Sequence, residues 1–270
     1  MHLALTHLLG DQRYFDHYRR EAIQGHYVIL DNSAHELTAG QKVSFVIDGA
    51  IALKAREIVL PDYLFDDQIT YSNLIDTMVY LKRERTEDIC TNRLQLMIVP
   101  QARSFEAWES CTESMINVMM AYQIGSPDLF PTGTFTLGIS KDYEVFEGGI
   151  LRCLAEVVMP LQEKYRFSIH LLGWGRDLWK LNEIGRQFGD RIRSTDSAKP
   201  FVYAHKNVLL DPTNSALTYP GREEDYFDVS VAGDEATRKI ADWNINAFEL
   251  AAKGQLQGQL VDLPVKPMPE

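Results

Sequence analysis

His26-Tyr27-Val28-Ile29-Leu30-Asp31 is a short β-rich run that closes on an acidic residue. The same form returns in Glu57-Ile58-Val59-Leu60-Pro61-Asp62, and Asp196 follows Arg191-Ile192-Arg193-Ser194-Thr195. In a parallel β/α fold the residue just past an apolar strand faces the mouth where ligands bind. Three carboxylates at such positions point to charge-developing chemistry rather than to packing.

Working outward, further strand-like runs occupy residues 3–9, 94–99, 134–139 and 167–172. Longer segments with helical apolar spacing lie between them. The clearest is 105–122, where Phe105, Trp108, Cys111, Met115, Val118 and Met119 recur at helical steps. Ser104 ahead of it, with Glu106 in the first turn, predicts an N-cap and a favourable dipole contact. Residues 151–165 and 178–188 read as amphipathic helices, and their Met and aromatic stripes as core. Seven strand–helix units result, with 207–210 as a candidate eighth strand before the helical stretch 235–253. Strands alternating with helices mean a parallel sheet. The expectation is therefore an α/β fold, a single closed (β/α)8 TIM-type barrel over 1–254 with an extended tail at 255–270. An open doubly wound sheet is the second choice. No GxGxxG or GxxxxGK[ST] follows the first strands, which weighs against a dinucleotide or P-loop site.

The 270 residues suit one such barrel, and 45% hydrophobic content supplies a full core. A net charge of −11, from 38 acidic and 27 basic residues, speaks against a general nucleic-acid coat but allows a local basic strip. The run Lys82-Arg83-Glu84-Arg85 reads as a solvated helix end, with a basic edge for nucleic acid as the sharper alternative. Cys90, Cys111 and Cys153 are scattered without ligand spacing, the pattern of reduced thiols in the cytosol. No signal-peptide pattern and no run of ~20 apolar residues is present, so the expected location is cytoplasmic, with no membrane partner.

Five segments can carry chemistry. In Ser194-Thr195-Asp196-Ser197, hydroxyl neighbours would keep Asp196 ionised and able to attack an electrophilic carbon, unless it merely caps the next turn. In Asp31-Asn32-Ser33, Asp31 would pair with Asp196 as nucleophile and acid/base, unless the segment only shapes an Asx turn. His35 and Glu36 are adjacent and lack a partner cluster, so no metal is expected. Gln101 offers an amide donor and acceptor to a planar heterocycle. Gly138 admits a ligand close to backbone, and Lys141 can reach an anion. In Gly173-Trp174-Gly175-Arg176 the glycines allow close approach, Trp174 offers a stacking face and Arg176 a phosphate fork. His170 reads as a core histidine. No Ser-His-Asp order, HExxH or GxSxG anchors a hydrolase or zincin reading.

Taken in order, these segments resemble the tRNA-guanine transglycosylase superfamily, whose members insert 7-deazaguanine bases into tRNA and, in phages and bacteria, into DNA. Asp31-Asn32-Ser33-Ala34 is similar to its Asp-Ser-Gly-Gly motif, and Asp62 stands where the family has a base-reading aspartate. Val99-Pro100-Gln101-Ala102 is similar to a Val-Gln-Gly element, and Gly138-Ile139-Ser140 occupies the place of a Gly-Leu-Ala strand. His170-Leu171-Leu172-Gly173-Trp174-Gly175 looks like the Tyr-Leu-Met-Gly-x-Gly strand. Asp196 falls where the family has its nucleophile, with Pro200 following. The resemblance spans about residues 26–200. Nothing here matches the structural zinc site of three cysteines and a histidine, Ala34 and Ala102 replace glycines, and Pro100 is inserted.

The resemblance implies exchange of a purine-type base, guanine or 7-deazaguanine, at an N-glycosidic bond. Asp196 would attack C1′, Asp31 would handle the proton, and Asp62 and Gln101 would read the base edge, with Ser33, Gly138, Lys141, Gly173, Trp174 and Arg176 lining the substrate. No cofactor or metal is implied. The substrate is a nucleoside, nucleotide or nucleic acid, with DNA favoured over tRNA by the departures, and barrels of this kind often form homodimers. Three rivals remain: an N-glycosidase, a non-catalytic base-binding barrel, and a phosphate-handling aldolase or isomerase using Lys141.

Overall fold

The computed structural model describes residues 1–174, 177–210 and 235–256. Seven strands form one parallel sheet: β1 His2–Leu5, β2 Val28–Asp31, β3 Glu57–Val59, β4 Gln95–Ile98, β5 Thr136–Ser140, β6 Ser168–Leu172 and β7 Ser194–Thr195. Their order in the sheet is their order in the chain, β1-β2-β3-β4-β5-β6-β7. Register pairs Leu3 with Ile29, Ile29 with Glu57, Ile58 with Leu96 and Ile98 with Leu137.

The closed eight-stranded barrel expected from the sequence is not what forms. The sheet is open, with β1 and β7 at its ends, and the described residues contain no eighth strand. The segment 207–210 is irregular because its polar groups are spoken for elsewhere. The Val208 N–H donates to the Tyr203 carbonyl at 2.8 Å, and the Leu210 N–H to Asn244 Oδ1 at 2.7 Å. Asn244, fully buried in the helix Glu235–Ala252, also donates to the Pro200 and Val208 carbonyls at 3.1 and 3.0 Å. The doubly wound alternative fails too. Its strand order reverses at a switch point, whereas here every crossover steps the same way. The sheet curls as a half-barrel without closing.

The chain packs as two compact units, Met1–His170 and Leu171–Glu270. In the first, Val28, Ile29, Leu30 and Ile58 are completely buried, as central parallel strands covered on both faces require. Helices start where short polar side chains cap them: Asp11 accepts from Arg13 and Tyr14 N–H, Asp66 from Ile69 N–H, and Ser104 from Ala107 N–H. The Ser104 cap and the helix Phe105–Gly125 follow the sequence reading. The 151–165 stretch is helical up to Lys164 and loosens to a π-type turn at Cys153–Val158. Arg85 is held between Asp48 at 2.6 Å and Asp88, so this arginine is tied to acidic neighbours. Cys111 and Cys153 are buried core thiols, which burial pushes up to about 11 and about 12, while Cys90 is exposed. No described helix is long and apolar enough to cross a membrane.

In the second unit the helix Leu178–Phe188, capped by Asp177, lies against the end of the helix Glu235–Ala252. The approach is so close that a Cβ on Gly185 would stand 2.5 Å from Gly254 N and 2.6 Å from Ala252 O. Backbone cannot yield as a side-chain tip can. Gly185→Ala is expected to destabilise this unit by roughly 1–3 kcal/mol, read as a lower unfolding midpoint in a denaturant titration. An unchanged midpoint would show that the helices can separate without cost. The tail beyond Leu256, Gly175 and Arg176 lie outside the described residues.

Candidate functional site

Most of the residues singled out from the sequence fall at or just past the C-terminal ends of parallel strands. Asp31 is the last residue of β2, Asp62 lies three past β3, Gln101 three past β4, and Lys141 directly after β5. Gly138 is buried inside β5 rather than past its end.

Asp62 is the centre of a buried polar cluster. Its Oδ1 accepts from Asn32 Nδ2 at 2.7 Å and its Oδ2 from Gln101 Nε2 at 2.5 Å. Asn32 Nδ2 also donates to the Leu60 carbonyl at 2.6 Å, and Asn32 Oδ1 accepts from the Ala34 N–H at 2.8 Å. Behind Gln101, the Tyr143 hydroxyl faces two oxygens, Gln101 Oε1 at 2.8 Å and the Pro100 carbonyl at 2.6 Å. Burial pushes the Asp62 carboxyl up to about 6, against the opposing pull of the Asn32 and Gln101 amides. Burial, reinforced by the nearby Asp62 charge, holds the Tyr143 phenol well above its ordinary range, so it remains a neutral donor. The site thus contains an acid poised near neutrality and two primary amides fixed by their backbone contacts.

A second layer surrounds that cluster. The Asp31 carboxylate accepts from the Ser33 N–H at 2.5 Å, the Asx turn foreseen as the plainer reading of this segment. Ser33 adopts a left-handed conformation at φ 65°, and its Oγ accepts from the His7 N–H at 3.3 Å. Thr6 Oγ1 donates to the Asp31 carbonyl. Gly40 passes so close that a Cβ would meet the Asn32 side chain at 3.0 Å and Pro61 Cα at 3.1 Å. Its N–H donates to the Asp62 carbonyl, and the Gln41 N–H to the Asn32 carbonyl, both at 2.9 Å. His35 Nδ1 lies 3.7 Å from Asp142 Oδ2, bringing together the loops after β2 and β5.

In the second unit Gly173, at φ 66° just past β6, donates its N–H to Asp196 Oδ1 at 3.0 Å. The Asp196 N–H donates to the Leu171 carbonyl at 3.2 Å, which fixes the half-buried aspartate at the end of β7. Trp174 is 4% exposed, so the indole foreseen as a stacking face is covered. Arg176 lies outside the described residues, and His170 is fully buried as read.

The chain matches no family model and no curated protein. Its chemistry therefore rests on its own residues. The geometry joins Asp62 to Gln101 and Gly173 to Asp196, and it adds Asn32 and Tyr143, which sequence reasoning left out of the site. Asn32 was legible only as a turn residue, and no local pattern marks Tyr143, which stands in a short 3-10 turn at Lys141–Val145.

Proposed function

We propose that this protein exchanges a purine-type base at an N-glycosidic bond, as a modification of a nucleic acid, nucleoside or nucleotide. The observation that carries the reading is the buried Asn32–Asp62–Gln101–Tyr143 cluster at the ends of β2 to β5. A planar heterocycle with N–H donors along one edge is complementary to a carboxylate flanked by amides. Such an edge would take the place of the Gln101 amide on Asp62, and the freed Gln101 would turn its own donor and acceptor to the base.

In the proposed reaction an Asp196 carboxylate oxygen bonds to C1′ as the C1′–N bond to the resident base breaks, and the bonding pair leaves with the base. Asp31 protonates that base and then removes the proton from the incoming one. The nitrogen of the incoming base displaces Asp196 from C1′ and restores the free carboxylate. Hydrolysis, with water in place of the second base, is the nearest rival.

Guanine and a 7-deazaguanine carrying an isotopic label, incubated with guanine-containing DNA, tRNA and nucleosides, separate these outcomes. Incorporation of label into one substrate is expected, with DNA ahead of tRNA. Release of free base without incorporation would make the protein a glycosidase, and neither event with any substrate would leave a binding protein.

A further inference from the structure

At the opposite ends of the strands, where β1 and β2 begin, three metal-ligating side chains meet. His2 opens β1, Glu21 lies in the last turn of the helix Gln12–Ile23, and His26 stands two residues before β2. One ligand atom from each lies within 4.8 Å of the other two. Glu21 Oε2 is 2.6 Å from His26 Nδ1 and 3.4 Å from His2 Nε2.

We propose that His2, Glu21 and His26 bind one divalent transition-metal ion of the zinc class, clipping the edge strand β1 to the helix and to the entry of β2. Ligands at 2.0–2.1 Å around a tetrahedral ion lie about 3.3 Å apart, close to the separation between Glu21 and His2. The shorter contact to His26 is a hydrogen bond, and an ion entering there displaces its proton. Two imidazoles and one carboxylate are the donor set that zinc, nickel and copper take.

The ligands are held before any ion arrives. The His26 N–H donates to the Glu21 carbonyl at 3.1 Å, and the His2 N–H to the Tyr27 carbonyl at 2.8 Å. The Tyr18 ring stands edge-on to His2 at 6.3 Å and to His17 at 5.0 Å, walling one side. His17, one turn before Glu21, has its ring 6.5 Å from that of His2. A carboxylate that gathers two histidines, with a third beside it, exceeds what one ion pair at a helix end requires.

The test titrates Zn2+ into the chelator-treated full chain against a chromophoric chelator, with Co2+ absorption to report geometry. One ion per chain is expected, with a raised unfolding midpoint and a tetrahedral Co2+ spectrum. His26→Asn and Glu21→Gln should each weaken binding by about tenfold or more, while His35→Asn leaves it unchanged. His26 is 53% exposed, so its replacement leaves the fold intact and keeps the test decisive. Absence of stoichiometric binding, or equal affinity in His26→Asn, would overturn the proposal.

Discussion

Asp196→Asn should lower base exchange by about a thousandfold or more while leaving the protein folded and able to bind base. The asparagine oxygen can keep the hydrogen bond that Gly173 N–H makes to Asp196 Oδ1 at 3.0 Å, so the loop geometry survives. What disappears is the anionic oxygen that, in the proposed reaction, forms the bond to C1′. Label incorporation at saturating substrate checks the rate, and an unchanged unfolding midpoint checks the fold. A variant slowed only a few-fold would remove Asp196 from the chemistry and reduce it to a turn residue.

The second large effect concerns Asp62 and pH. Its carboxyl titrates near 6 in the folded protein against an ordinary value of 3.8. Below about 4 the group is protonated in both folded and unfolded chains, and the folded state bears no charge penalty. Above about 6 it is ionised in both, and the folded state holds a buried charge that its amide partners only partly compensate. Stability from this group is thus present below the unfolded value and lost as pH rises through the folded one, by about 3 kcal/mol in all. Asp62→Asn removes that dependence. The difference in unfolding free energy between wild type and Asp62→Asn should therefore shift against the wild type by most of that amount, roughly 2.4 kcal/mol, between pH 4 and pH 7. Denaturant titrations at both pH values measure it. A difference independent of pH would mean that Asp62 ionises as freely in the folded chain as in the unfolded one.

Much of the fold was legible because its causes are local. The runs ending at Asp31 and beginning at Glu57 are strands, Ser104 caps the helix it was expected to cap, and the helix Leu178–Phe188 has the bounds its periodicity implied. Closure of the sheet was not legible, because it is decided far along the chain. Whether residues 207–210 join a ladder depends on Asn244, 34 positions later, whose amide takes the Leu210 N–H. A short extended run looks the same whether its partner is a strand or one buried side chain.

The candidate site divides along the same line. Asp62 and Gln101 stood out because each follows a strand. Their mutual hydrogen bond spans 39 residues, and Tyr143 reaches Gln101 across 42, distances over which no spacing rule operates. Trp174 is the converse case. The sequence offers its ring as a stacking face, while the residue is only 4% exposed.

Intact-mass spectrometry of the protein incubated with guanine-containing DNA, tRNA or nucleosides addresses the central claim most directly. The account predicts an increase equal to the sugar-bearing fragment, absent in Asp196→Asn and discharged by free guanine or 7-deazaguanine. Base exchange that proceeds with no adduct, or an adduct that survives Asp196→Asn, would contradict it.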